Sequence, residues 1–363
     1  MASIIGINLK VSIFGESHGK AIGVNIDGLP PGIKLNLGNI RHEMMRRAPA
    51  RTALSTARRE EDEFEIISGY FNQRTTGTPL CAIIRNQDKR SKDYERTKSL
   101  MRPSHADYTG YIKYRGHNDY RGGGHFSGRL TASLVFAGAI AKEILKEEDI
   151  SIGSHIKSIG EIEDVSFDYI DLDGDILDKL NKEALPVLDQ SKAKEMEELI
   201  LKVKKEGDSV GGVVETAVVN LRAGIGSPIF DSLDSHLAKL IFSIPGVKGV
   251  EFGSGFSISR MLGSQANDEF YMKDGQVRTF TNHSGGIVGG ISNGMPIIIR
   301  TAIKPTPSIG KRQRTIDIEK GEGAELNIKG RHDPCIVPRA VAAIEAVVAI
   351  GILDLMMEEG KWK

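Results

Sequence analysis

Five short stretches of this chain combine residue types suited to proton transfer and to holding anions. In Phe14-Gly15-Glu16-Ser17-His18-Gly19 a histidine stands between a hydroxyl and a glycine, just after a strand-like run, and Asp27-Gly28-Leu29-Pro30-Pro31-Gly32 closes the unit with a turn. Histidine exchanges protons near neutral pH, and glycine lets backbone approach a ligand closely. In Arg102-Pro103-Ser104-His105-Ala106-Asp107, charges on both sides can tune a second imidazole. Gly122-Gly123-Gly124 precedes an expected helix, with Ser127 placed to cap it and Arg129 on its first turn. The first N–H groups of a helix form an anion site, which glycines leave open. Lys304-Pro305-Thr306-Pro307-Ser308 offers one cation, two hydroxyls and a fixed backbone, a set that suits a phosphate tail. Arg331-His332-Asp333-Pro334 puts a carboxylate beside an arginine ahead of the last helix.

Each stretch also has a plainer reading. His18 and His105 fit solvated turns, the glycine triplet a simple loop-to-helix start, and 304–308 a proline-rich exit loop. Asp333-Pro334 fits an N-cap followed by proline at the first helical position. Other site types are excluded. Gly15-xxx-Gly19-Lys20 is one residue short of a phosphate loop and lacks the following Ser/Thr. No GxGxxG follows a strand, and no His/Cys cluster has metal-ligand spacing, so no metal is expected.

The elements that must carry these residues read as a mixed set. Residues 11–14, 21–27, 64–68, 80–84 and 210–220 are strand-like; 37–47, 127–147, 191–206, 232–243 and 338–357 are helix-like. The helix at 191–206 is charged enough to read as solvent-exposed. Helix 37–47 should stop before Pro49, because the residue preceding proline avoids the helical region. Residues 49–63 form a polar, arginine-rich loop. The polar stretch 85–121 carries tyrosines at 94, 108, 111, 114 and 120, which favours an ordered wall of a site over disorder. Between 246 and 302 short strands alternate with glycine turns. Without strict βαβ alternation, the class is α+β, and no linker divides the 363 residues, so a single domain over 1–363 is expected.

Charge and composition narrow the function. Lys+Arg and Asp+Glu are 48 each, without the basic excess usual for a nucleic-acid binder. Cys81 and Cys335 form neither a CxxC pair nor a disulfide framework, as expected in a reducing, cytoplasmic compartment. The apolar tract 340–357 is interrupted by Glu345 and Asp354 and reads as a buried helix rather than a membrane span. Arginines, placed histidines, one carboxylate and glycine-lined anion loops together describe an enzyme for a small, highly anionic substrate.

At this point the sequence resembles the chorismate synthase family. The first stretch, Asp119-Tyr120-Arg121-Gly122-Gly123-Gly124 with Ser127-Gly128-Arg129, and Gly330-Arg331-His332-Asp333-Pro334-Cys335 carry the likeness. Thr75-Thr76-Gly77-Thr78-Pro79, the His105 stretch, Lys205-Glu206-Gly207-Asp208-Ser209, Val247-Lys248-Gly249-Val250-Glu251, Asn282-His283-Ser284-Gly285-Gly286-Ile287 and Lys304-Pro305-Thr306 lie between them in the family's order.

The resemblance implies a β-α-β sandwich with helices between antiparallel sheets, assembled as a homotetramer. It implies anti-1,4-elimination of the 3-phosphate and the C6 hydrogen from 5-enolpyruvylshikimate 3-phosphate, giving chorismate and phosphate in the shikimate pathway of aromatic amino acid biosynthesis. Reduced FMN is required without net redox change, with an external reductant such as NADPH. By position, His18 is the acid at the phosphate, His105 protonates or stabilises the reduced flavin, and Asp333 works on the base side. Ser17, Arg47, Arg102, Ser127, Arg129 and Arg331 would hold substrate. His125, Phe126, Ser127, Pro245, Gly246, Gly289, Lys304, Pro305, Thr306, Pro307, Ser308 and Arg331 would hold FMN.

The chain departs from the family after the glycine triplet, where His125-Phe126-Ser127-Gly128-Arg129-Leu130 stands in place of the usual Arg-Ser-Ser-Ala-Arg-Glu, and at Ala53, where arginine is usual. Replacing His125 by Ala is therefore expected to weaken FMN binding. The rival expectation is a non-catalytic phosphoanion- or RNA-binding protein on the same fold, drawing on the arginines of 41–59.

Overall fold

The computed structural model describes residues 3–49, 60–87, 98–328 and 332–358. Arg331 and the arginines of 50–59 lie outside the described residues. Two five-stranded antiparallel sheets enclose a layer of helices. The first sheet holds β1 (Ile4–Ile5), β2 (Lys10–Gly15), β3 (Ala21–Asp27), β4 (Phe64–Ser68) and β5 (Leu80–Arg85), in the order β1-β2-β3-β5-β4. Along β3 the apolar residues alternate, and Ile22, Val24 and Ile26 all point into the core. The second sheet holds β6 (Ser151–Ile159), β7 (Ile162–Glu163), β8 (Gly212–Val219), β9 (Val247–Phe252) and β10 (Ile297–Ile303), in the order β9-β10-β8-β6-β7. The expected sandwich of antiparallel sheets around helices is the fold observed.

The helical layer is built from α1 (Leu37–Arg47), α3 (Thr131–Lys146), α6 (Leu233–Phe242) and α7 (Val337–Glu358). Between these in sequence come α2 (Asp107–Lys113), α4 (Gly174–Leu180) and α5 (Gln190–Lys205). Asn36 caps α1 by accepting the Gly38 N–H at 3.0 Å, and Ala48 turns to extended backbone ahead of Pro49. α3 and α7 cross where a Cβ on Gly138 would stand 2.3 Å from Ala346 Cα, so only glycine permits the approach. α7 is the one helix among the described residues long and apolar enough to cross a membrane, and 89% of that window is buried inside the fold. Its two buried acids have internal partners. Glu345 accepts from Arg46 Nη2 at 2.9 Å and from Lys142 Nζ at 2.8 Å. Asp354 accepts the Asn8 and Leu9 N–H groups, both at 2.8 Å.

Several elements depart from the expectations. The stretch 85–121 contains the helix α2, and β6 has no clean strand signal because Ser151, Ser154, His155 and Ser158 interrupt its apolar run. The hairpin Gln313–Asp317 with Glu322–Leu326 also carries no strong alternation. α5 is charged but amphipathic, since Met196 and Ile200 are fully buried. The glycines themselves are not helical, since Gly122, Gly123 and Gly124 all have positive φ. Ser127 caps the helical start as expected, with Arg129 in the tight first turn Gly128–Leu130, which runs directly into α3 at Thr131.

Candidate active site

The tight connection from β2 to β3 delivers Ser17 and His18 into the interior, and His18 is 3% exposed. The Ser17 N–H donates to Gly124 O at 3.1 Å, and its hydroxyl lies 3.2 Å from His18 Nδ1 and 3.1 Å from Gly122 O. The glycine triplet is thus a cradle for the histidine. A Cβ on Gly122 would stand 2.1 Å from the imidazole, and φ +60 already favours glycine there. Asp119 chelates Arg121 at 2.8 and 2.7 Å. That hydrogen bonding, with a further contribution from the nearby His18, holds the Asp119 carboxyl below its ordinary pKa.

Asn86, just past β5, ties this loop to the arginines. Its Nδ2 donates to Glu16 O at 2.9 Å and Gly19 O at 3.2 Å, while its Oδ1 accepts from Arg129 Nε at 3.1 Å. Ser127 caps the turn Gly128–Leu130 by accepting the Arg129 N–H at 3.2 Å. Arg129 and Arg47 are both buried, and the Asp62 carboxylate bridges them. Burial pushes the Arg47 guanidinium down to about 10, against the pull of Asp62. Arg339 joins this group to Asp333: its Nε donates to Arg47 O at 3.1 Å and its Nη1 to Asp333 Oδ2 at 2.6 Å. Asp333 lies four residues ahead of Val337, where α7 starts, and so stands before the N-cap position rather than at it.

A second cluster forms around His105. Its Nδ1 lies 3.0 Å from Pro103 O, so that nitrogen carries the proton, and Nε2 lies 2.8 Å from Ser308 Oγ. Burial, with the Arg102 charge, lowers the imidazole to about 4, so at neutral pH it is uncharged and Nε2 accepts. Arg102 is gripped by Asp107 at 2.7 and 2.8 Å. Lys304 Nζ donates to Ser104 O at 2.7 Å, and the Lys304 N–H reaches Gly246 O at 2.9 Å. Lys304 and Ser308, the two ends of the loop through Pro305, Thr306 and Pro307, thus reach the His105 turn, and Lys304 ties that loop to Gly246, next to Pro245.

Not every expected residue joins these clusters. His125 uses both ring nitrogens within the chain, on Gly15 O at 2.9 Å and Ser3 Oγ at 3.0 Å. Phe126 packs on Gly110 and lies 6.1 Å from the Tyr114 ring. Gly289 sits at an exposed hairpin turn whose Gly290 packs on Ser227 and Ser232. Glu60, Asp62, Asn86 and Arg339 carry no motif in the sequence, and Asp119 stands there only as part of the family stretch, with no role of its own. Asp62 and Glu60 lay inside a loop read for its arginines, and Asn86 had no motif around it. No group of three or more metal-ligating side chains exists among the described residues. Arg47 and Arg129 are interior rather than surface groups, which counts against an RNA-binding face.

Fold and site together define an enzyme acting on a small molecule. Residues 9–357 match the family described as chorismate synthase. A chorismate synthase of Methanobrevibacter smithii is 47% identical over 99% of this chain and 98% of its own length. One from Dehalococcoides mccartyi is 46% identical over the same shares. A solved structure titled "Crystal Structure of Chorismate Synthase" superposes with a TM-score of 0.77 at 32% identity, covering 98% of this chain and 93% of that one. The chain belongs to the chorismate synthase family, a family of lyases.

Proposed function

We propose that this chain converts 5-enolpyruvylshikimate 3-phosphate to chorismate and phosphate by anti-1,4-elimination, dependent on reduced FMN. The observation that carries this reading is the convergence on His18 of segments far apart in sequence, 17–18, 86 and 119–129, within a chain matching the family from 9 to 357.

His18 stands on the phosphate side. There it gives a proton to the departing phosphate as the carbon–oxygen bond breaks, a role worth about 10²–10⁴-fold in rate. Arg47, Arg102, Arg129 and Arg331, with Ser17 and Ser127, hold the substrate's two carboxylates and phosphate, for which guanidinium geometry is suited. Asp333, fixed by Arg339, stands on the side that loses the C6 proton.

Reduced FMN, when bound, supplies electron density for the cleavage without net redox change. The residues present fit such a group. Thr306 Oγ1 is buried and makes no hydrogen bond, so it has donor capacity for a ligand, beside the cation of Lys304 and the hydroxyl of Ser308. Ser127, Pro245, Gly246, Pro305 and Pro307 would line the flavin, with His125, Phe126, Gly289 and Arg331. An anion bound beside neutral His105 would raise its pKa and draw a proton onto Nε2. The reductant would come from outside the chain, with NADPH as electron source. The homotetramer is taken from the family resemblance; exposed Phe230, Phe256 and Phe270 are apolar surface that self-association would cover, and light scattering would read the stoichiometry directly.

The test is chorismate formation from purified protein, reduced FMN and substrate under anaerobic conditions. Wild type should turn over, and His18→Ala should lose about two or more orders of magnitude in kcat with an unchanged melting temperature. No product from folded wild-type protein rejects the reading.

A further inference from the structure

Two guanidinium groups stand side by side in the interior with one carboxylate between them. The Arg47 and Arg129 side chains are 2% and 4% exposed, and that of Asp62 is wholly buried. Asp62 Oδ2 accepts from Arg47 Nε at 2.8 Å and also from its Nη2, while Oδ1 accepts from Arg129 Nη1. Glu60 Oε2 lies 2.8 Å from Arg129 Nε. Beyond these bonds, Arg47 Nη1 has only long contacts among the described residues, 3.4 Å to Gly128 O and 3.5 Å to Thr131 Oγ1. Two like charges in contact inside a protein repel strongly, so the arginines keep this arrangement only while a shared anion joins them. Asp62 takes a left-handed backbone, φ +54, a conformation that aspartate tolerates better than most residues. Burial opposes ionisation of Asp62, but the charges of Arg47 and Arg129 overcome it and hold its carboxyl below the ordinary value.

We propose that Asp62 is a positioning residue for the reaction, its carboxylate clamping Arg47 and Arg129 into one fixed geometry for the anionic substrate. The proposal rests on the reading of those two arginines as substrate-binding groups. It differs from the alternative in which Asp62 imitates the substrate and competes with it, because the two predict opposite signs.

The test compares wild type with Asp62→Gly, which deletes the carboxylate while suiting the left-handed backbone, and with near-isosteric Asp62→Asn. Substrate affinity is read by calorimetry without flavin, and kcat and KM by anaerobic assay, with and without tens of millimolar formate. In Asp62→Gly, substrate affinity and kcat/KM should fall roughly tenfold to a hundredfold, chiefly through KM, and formate should restore both by refilling the gap between the guanidiniums. Asp62→Asn should show the KM defect without formate rescue, because its amide leaves no gap, and it decides the matter if Asp62→Gly does not fold. Tighter substrate binding in either variant, with formate now competing, overturns the proposal in favour of imitation. A lowered melting temperature with unchanged KM and kcat overturns it in favour of a purely structural clamp. Arg47→Lys tests the underlying reading separately: an unchanged KM there removes the substrate role of the arginine itself.

Discussion

Replacing Gly122 by alanine should strike the candidate acid directly, and the size of the effect follows from the geometry. A Cβ at this position would stand 2.1 Å from both Cε1 and Nδ1 of His18 and 2.9 Å from Ser17 Oγ. Ordinary carbon contacts lie near ~3.5–4.0 Å, so either the ring or the loop must yield by about 1.5 Å. Forcing extra volume into a packed interior costs about 1–3 kcal/mol. The left-handed φ of +60 adds about 1–2 kcal/mol for any residue with a Cβ. The sum is about 2–5 kcal/mol. Gly123→Ala is the internal control, because its φ is also positive, at +87, but its nearest neighbour would be Ser127 Cβ at an ordinary 3.8 Å. It should therefore carry only the backbone cost of about 1–2 kcal/mol. Urea unfolding of both variants gives the difference, and anaerobic chorismate assays should show kcat falling further in Gly122→Ala, since a misplaced acid loses its catalytic distance. Equal stability and equal turnover for the two variants would refute the cradle.

Three further outcomes are expected. Gly138→Val should lower stability by about 1–3 kcal/mol or more by forcing α3 from Ala346 of α7, read as a lower urea midpoint. His155 is buried between Asp164 and Glu215, at 2.9 Å from each. Burial opposes its charge, but those carboxylates raise its pKa above the ordinary value. Its stabilising contribution is full below pH ~6.5 and lost as pH rises through the raised value. His155→Gln should flatten that alkaline decline in urea midpoint, and an unchanged slope would contradict the assignment. His105 has the opposite sign. With its pKa lowered to about 4, the unfolded chain binds the proton more readily, so stability should fall as pH drops from about 6.5 to about 4. His105→Gln should remove that part of the acid slope.

Much of this protein is determined by local sequence alone. The cap at Asn36 and the stop before Pro49 delimit α1 at residues 37–47, because capping bonds and proline sterics act over a few residues. The alternation of β3 and the apolar run of α7 mark buried faces for the same reason. The family motifs around His18, Gly122 and Asp333 were legible too, since they are strings of letters. What those letters touch was decided by tertiary structure. Gly122 reads as the start of an anion-binding helix until the fold lays it against His18. Asp333 reads as a cap until Arg339, six residues on, takes its carboxylate. Asp62 and Asn86 carry no signal in sequence. Their roles come from groups 15 to 70 residues away, and a bridging carboxylate or a two-ended amide exists only once distant segments have been packed together.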